Sequence, residues 1–243
     1  MSRRGSLIGR AIAVSALWLT LAQTALAQSM QYDAYYVLPG AAGVGGVDLV
    51  VSGRDVSNLA DASSLDLSAK YSLTDQVEVG ALARSGVLDN NLGRVSSLTV
   101  GAKYGFSTEV NAATVNLALP VGDVEKLGVT VGYLYTKAMG GLSINNALSL
   151  GWLDAFNGGS GVVISALVEP TRQISQSLMG YCDLIIVTHS DDLADELAID
   201  LLPNIDVLKG NRLAVNLGVR LGLAGKRKQK EVGMVLGLLS IIE

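Results

Sequence analysis

The sequence predicts an all-β chain, an up-and-down antiparallel sheet of about twelve strands closed into a barrel. Three observations predict it. Apolar and polar residues alternate in runs of about ten residues from residue 46 to the end. Such a period of two places successive side chains on opposite faces of a strand, whereas a helix repeats at 3.6. The runs are separated by connections that are short and long in turn, which places one kind at each end of an up-and-down sheet. The chain also opens on a processing signal that directs it out of the cytoplasm.

That signal occupies residues 1–27. "MSRRGSLIGR" is a basic leader, "AIAVSALWLTLA" a short apolar stretch, and "ALA" at Ala25–Ala27 supplies small residues for a peptidase, so cleavage is expected before Gln28. The apolar run is too short for a spanning helix, which needs about 18 residues. Residues 28–45 form an N-terminal segment with three tyrosines in "QYDAYYVLPG" (31–40), readable as a short strand, a plug or a docking peptide. The glycine-rich "PGAAGVGG" (39–46) lacks the lysine and the following helix of a phosphate loop, and reads as a flexible lead into the first strand.

The strands follow in order. The spacing places them at 46–53, 63–72, 76–85, 95–106, 109–119, 126–137, 141–152, 161–170, 174–187, 192–202, 211–224 and 230–242. In "LDLSAKYS", Leu65, Leu67, Ala69 and Tyr71 oppose Asp66, Ser68 and Lys70. In "QVEVGALAR", Val77, Val79, Ala81 and Ala83 oppose Glu78, Gly80 and Arg84. "SLTVGAKYGF" and "LGVTVGYLY" repeat the pattern, and "RLAVNLGVRLGLAG" holds six leucines and valines against Arg212, Asn216, Arg220 and small residues. Two segments are less regular. Residues 174–188 are apolar on both faces near their end, and 191–202 also fit an amphipathic helix, since Leu193, Leu197 and Leu201 lie four apart.

Connections at 73–75, 107–108, 137–140 and 171–173 are short. Those at 86–94, 120–126 and 154–161 are longer and rich in turn-forming Gly, Asn and Asp. The contrast fades after residue 174, where "HSDD" is short and "PNIDVLKG" long.

The alternation alone allows two architectures. A soluble sandwich or barrel turns its apolar face inward; a transmembrane barrel turns it to lipid and its polar face to the lumen. Three features select the second. The polar face is made largely of Gly, Ala and Ser with single charges, suited to a crowded concave wall. Tyr71, Tyr104, Phe106, Tyr133 and Tyr135 lie on the apolar face just before short turns, as one half of an aromatic girdle at headgroup depth, with Trp152 and Phe156 at the other end. Strands of about ten tilted residues cross the hydrocarbon.

On these motifs the chain resembles bacterial outer-membrane β-barrel proteins over residues 46–243, a likeness to the class and to no single family. The resemblance implies a closed antiparallel up-and-down transmembrane β-barrel of about 12 strands, with outer-membrane lipid around it and both termini in the periplasm. It departs at its end: such proteins finish on an aromatic residue, whereas this chain ends "GLLSIIE" at Glu243, which implies a divergent assembly signal.

With the polar face inward, the lumen receives Asp48, Asp66, Glu78, Glu169, Glu196 and Asp200, with Lys70, Arg84, Lys103, Arg212, Asn216 and Arg220. These groups read either as ion pairs bracing the wall or as rings selecting a small polar solute. Function is therefore read as a passive, porin-like channel or transporter. The alternative is a non-conducting structural subunit of an envelope-spanning complex for secretion, adhesion or motility, with other envelope proteins as partners. A net charge of −4 offers nucleic acid no attraction. One cysteine, Cys182, and one histidine, His189, exclude a disulfide framework and a His/Cys metal cluster within one chain, and no cofactor motif stands out. "THSDD" (188–192) holds the only histidine beside a serine and two acids, but adjacent residues rarely converge as a catalytic set, and it reads as a polar turn. "GKRKQK" (225–230) reads as a basic hairpin tip on the cell exterior that could meet lipopolysaccharide phosphates.

Overall fold

The computed structural model describes residues 42–53, 63–86, 95–107, 111–122, 127–152, 162–190, 197–209, 213–224 and 232–242. Among them the chain forms twelve strands and no helix: β1 (Gly45–Gly53), β2 (Ser63–Ser72), β3 (Val77–Gly86), β4 (Val95–Ser107), β5 (Asn111–Leu119), β6 (Gly128–Met139), β7 (Leu142–Trp152), β8 (Val162–Ser175), β9 (Leu178–His189), β10 (Ala198–Lys209), β11 (Leu213–Ala224) and β12 (Val232–Ile242). Each strand pairs antiparallel with its chain neighbours, and β1 pairs with β12 from Gly45↔Ile242 to Gly53↔Met234, so the sheet closes. Closure leaves no edge, and every strand finds backbone partners on both sides.

The register carries one parity around the whole barrel. Asp48 lies opposite Leu239 and Ser68, Asp66 opposite Arg84, Glu78 opposite Lys103, and Lys103 opposite Thr114. These residues are on the inner face. The leucines and valines between them face out: Leu217 is 53% exposed while its neighbour Asn216 is 3% exposed. The small inward residues are steric requirements at some positions. A Cβ on Gly101 would stand 2.1 Å from Asn116 Oδ1 and 2.6 Å from Val115 O.

Both ends of the barrel follow from turn chemistry. At one end β6 and β7 are joined by Gly140 and Gly141 alone, at φ 55° and 87°, the left-handed pair of a tight hairpin. The β2–β3 turn is held by Thr74, whose Oγ1 accepts from the backbone N–H of Val77 at 3.0 Å. The same end carries the start of β1, where Ala42 N–H donates to Asp75 Oδ1 at 2.8 Å, and the end of β12.

Two boundaries differ from those the sequence suggests. "TRQ" (171–173) is not a turn: β8 runs on to Ser175 and the reversal falls at 176–177. Thr171 and Gln173 point inward and Arg172 outward, so polar residues that resemble a turn are the alternating wall of a strand. "PNIDVLKG" is likewise not a loop. β10 begins later, at Ala198, and continues through Pro203 to Lys209, which keeps residues 198–202 extended rather than helical. Pro203 pairs with Cys182 of β9, but the ladder to β11 skips Leu202 and Pro203, where the missing N–H would have donated. The contrast between short and long connections therefore persists to the end of the chain.

Candidate functional site

The candidate site is the inner face of the barrel, and it is charged unequally. Among the described strands, Asp48, Asp66, Glu78, Glu169, Asp183, Asp200 and Asp206 point inward, against Lys70, Arg84, Lys103 and Arg220. Of the lumen residues the sequence singled out, Asp66, Lys70, Glu78, Arg84, Lys103, Asp200, Asn216 and Arg220 are on this face. Glu196 and Arg212 lie outside the described residues, as do Phe156, the segments 31–40 and 225–230, and Asp191 and Asp192 of "THSDD".

Three cross-strand pairs brace one wall or the other. Arg84 meets Asp66 as a fork, Nε to Oδ1 at 2.8 Å and Nη2 to Oδ2 at 2.7 Å, both side chains keeping some exposure to the lumen. Lys103 Nζ lies 2.7 Å from Glu78 Oε1 with side-chain exposures of 0% and 4%. Arg220 pairs with Asp200 across β10 and β11. The first two are directly opposed register pairs, so strand alignment alone brings their charges together, whereas Asp200 lies opposite Gly222 and Arg220 reaches it diagonally.

Apart from Asp200, the carboxylates of the arc from β7 to β11 are held by neutral donors: Asn145 Nδ2 (2.7 Å) and Thr171 Oγ1 (2.9 Å) donate to Glu169 Oε1, Asn204 Nδ2 (3.1 Å) to Asp183 Oδ2, and Asn216 Nδ2 (2.5 Å) to Asp206 Oδ1. Asn216 also donates to the Tyr181 hydroxyl at 2.7 Å. Thr136 Oγ1 donates to Asn145 Oδ1 at 2.9 Å, which carries the chain of bonds to β6. Glu169, Asp183 and Asp206 are all buried, as are Met179, Tyr181, Ala214 and Leu239, which cluster beside them toward the short-turn end. A second apolar cluster, Leu167, Ile185 and Leu202, lies nearer the long-connection end.

Sequence reasoning missed Tyr181, Asp183, Asn204 and Asp206. The last two were lost to the reading of "PNIDVLKG" as a connection, although Asn204, Asp206 and Leu208 alternate with Ile205 and Val207. His189 is buried on the inner face and Ser190 is tied to the first residue of β8, its Oγ accepting from Val162 N–H at 2.8 Å. No group of three or more His, Cys, Asp or Glu among the described residues is arranged to hold a metal ion.

On the outer face, Tyr71, Tyr104, Phe106 and Tyr133 are exposed and Tyr135 half-buried, all toward the short-turn end, with Trp152 exposed at the other. Tyr104 and Phe106 meet edge to face at 5.6 Å between ring centres, and Tyr133 donates its hydroxyl to Asn111 Oδ1 at 2.7 Å. A shallow hollow of about 590 Å³ lies outside β2–β5 over Ala69, Ala81 and Ala102. Its lining side chains are almost all apolar, so it offers little to orient a polar solute.

No family model matches the chain, and no curated protein matches its sequence. Solved structures do match. An outer membrane channel from Pseudomonas putida F1 superposes with a TM-score of 0.60 at 16% identity, covering 88% of this chain and 100% of that one. The KdgM porin, solved in complex with disordered oligogalacturonate, gives 0.56 at 8% identity over 82% of this chain and 99% of that one. The NanC porin gives 0.55 at 11% identity over 81% and 100%. At such identities the likeness is one of fold.

Proposed function

We propose that this chain is a bacterial outer-membrane channel, exported through a cleaved leader, that passes small polar solutes, cationic and neutral ones ahead of anions. The observation that carries the reading is the partition of side chains by face. All seven carboxylates of the described strands point inward, while the outer wall is mostly aliphatic and aromatic, with its few cations at the short-turn end. An apolar exterior suits acyl chains, and a polar interior suits a hydrated path. Exposed tyrosines at one end suit headgroup depth. The barrels of similar fold include a channel and two porins, which supports conduction as the role. Among the described strands inner carboxylates outnumber inner cations, seven to four, which favours cations in the lumen. The reading includes no catalytic step.

A second reading draws on the burial of the inner wall. Lys103, Glu169, Asp183 and Asp206 have no more than 1% of their surface exposed, which suits a barrel whose core is packed rather than permeable. That barrel would be a structural subunit of a secretion, adhesion or motility complex. Planar-bilayer recording of the purified protein decides between them. Steady unitary currents support the channel, and a silent but correctly folded, heat-modifiable barrel overturns it. Recovery of the protein in a soluble periplasmic fraction overturns both.

A further inference from the structure

The outer face holds charges of one sign only. Among the described strands no carboxylate points outward, and the outward charges are Lys137 on β6, Arg172 on β8 and Lys209 on β10. Each lies within three residues of the short-turn end of its strand, since β6 ends at Met139, β8 at Ser175 and β10 at Lys209. All three are exposed, and among the described residues none pairs with a carboxylate. They stand on alternate strands, about 10 Å apart across the sheet. The exposed aromatics of the same end, Tyr71, Tyr104, Phe106 and Tyr133, are on β2, β4 and β6. The rim is thus aromatic over one part of its circumference and cationic over the next.

We infer that Lys137, Arg172 and Lys209 form a binding rim for the phosphate of anionic phospholipid headgroups in the leaflet that surrounds the short-turn end. The inference rests on the reading that the barrel spans a membrane, and is independent of whether its lumen conducts. Long cationic side chains at a strand end reach to headgroup depth while their stems stay on the apolar wall. A lysine or arginine there attracts anionic lipid by an amount equal to about a fivefold preference at low salt. Tyrosines supply no net charge, so the preference is confined to the β6–β10 side.

The test uses the full chain in phosphatidylcholine vesicles with traces of spin-labelled phosphatidylglycerol or spin-labelled phosphatidylcholine. The fraction of motionally restricted label reports lipid held at the barrel surface. The expected result is a severalfold preference for phosphatidylglycerol that shrinks in high salt. It approaches equality in the K137Q/R172Q/K209Q variant and survives in the charge-preserving K137R/R172K/K209R variant, which guards against a folding defect. Equal restriction of the two lipids by the native chain, or a preference unchanged in the glutamine variant, overturns the inference alone. Absence of restricted lipid of either kind overturns the membrane reading and the inference with it.

Discussion

Replacing Glu78 by glutamine tests whether the barrel interior is the low-dielectric, packed wall described above. Lys103 Nζ and Glu78 Oε1 are 2.7 Å apart, directly opposed across β3 and β4, and their side chains are 0% and 4% exposed. In water such a pair contributes little, because solvation of the separate ions offsets their attraction. Inside a wall the balance changes: the cost of burying the charges falls on both states of the mutant comparison unequally. E78Q leaves the ammonium buried without its counter-charge, and removing one member of a buried pair costs about 3–5 kcal/mol. K103M strands the carboxylate and is expected to cost a similar amount. The double variant E78L/K103M replaces both charges with apolar groups of like size, so its loss should be well below the sum of the losses of the singles E78L and K103M. The assay is reversible urea unfolding in lipid vesicles, followed by fluorescence of Trp152, the one tryptophan among residues 28–243. The midpoint should shift with the slope unchanged. A loss under about 1 kcal/mol for E78Q, or strict additivity in the double variant, would refute the argument that the wall excludes water at this level.

Other consequences can be checked alongside. G101A should destabilise the barrel by about 1–3 kcal/mol in the same assay, because the new methyl group meets Val115 backbone and Asn116 rather than open space. Spin labels at Leu217 and Gly218 should differ sharply in collision with lipid-dissolved oxygen, high at 217 and low at 218; a shielded label at 217 reverses the orientation of the whole sheet. Leu236, 52% exposed near the middle of β12, should lose about 2–4 kcal/mol of folding stability as L236R.

Much of the barrel is legible in the chain because its defining feature is local. Alternation in "RLAVNLGVRLGLAG" or "EVGMVLGLL" needs no knowledge of neighbours, and the two-glycine reversal at Gly140 and Gly141 follows from backbone freedom alone. Local reading failed where a side chain's role depended on what lay opposite. Pro203 reads as a break, yet its lost N–H falls at positions where the ladder to β11 is already open. Thr171 and Gln173 read as a turn, yet they belong to the inner wall beside Glu169.

The sequence by itself determined the period of two, the apolar and polar faces, the place of the aromatics and the spacing of reversals ahead of β8. Only the tertiary structure decided that the sheet closes on itself, and hence which charges meet. Asp48 comes to lie beside Leu239 because β1 pairs with β12, and Lys103 finds Glu78 because β3 and β4 align in one register and not the next. The side-chain period is a property of each strand's own backbone, whereas register and closure are set by backbone partners distant in the chain. A shift of one residue would leave every run of letters unchanged and every ion pair broken.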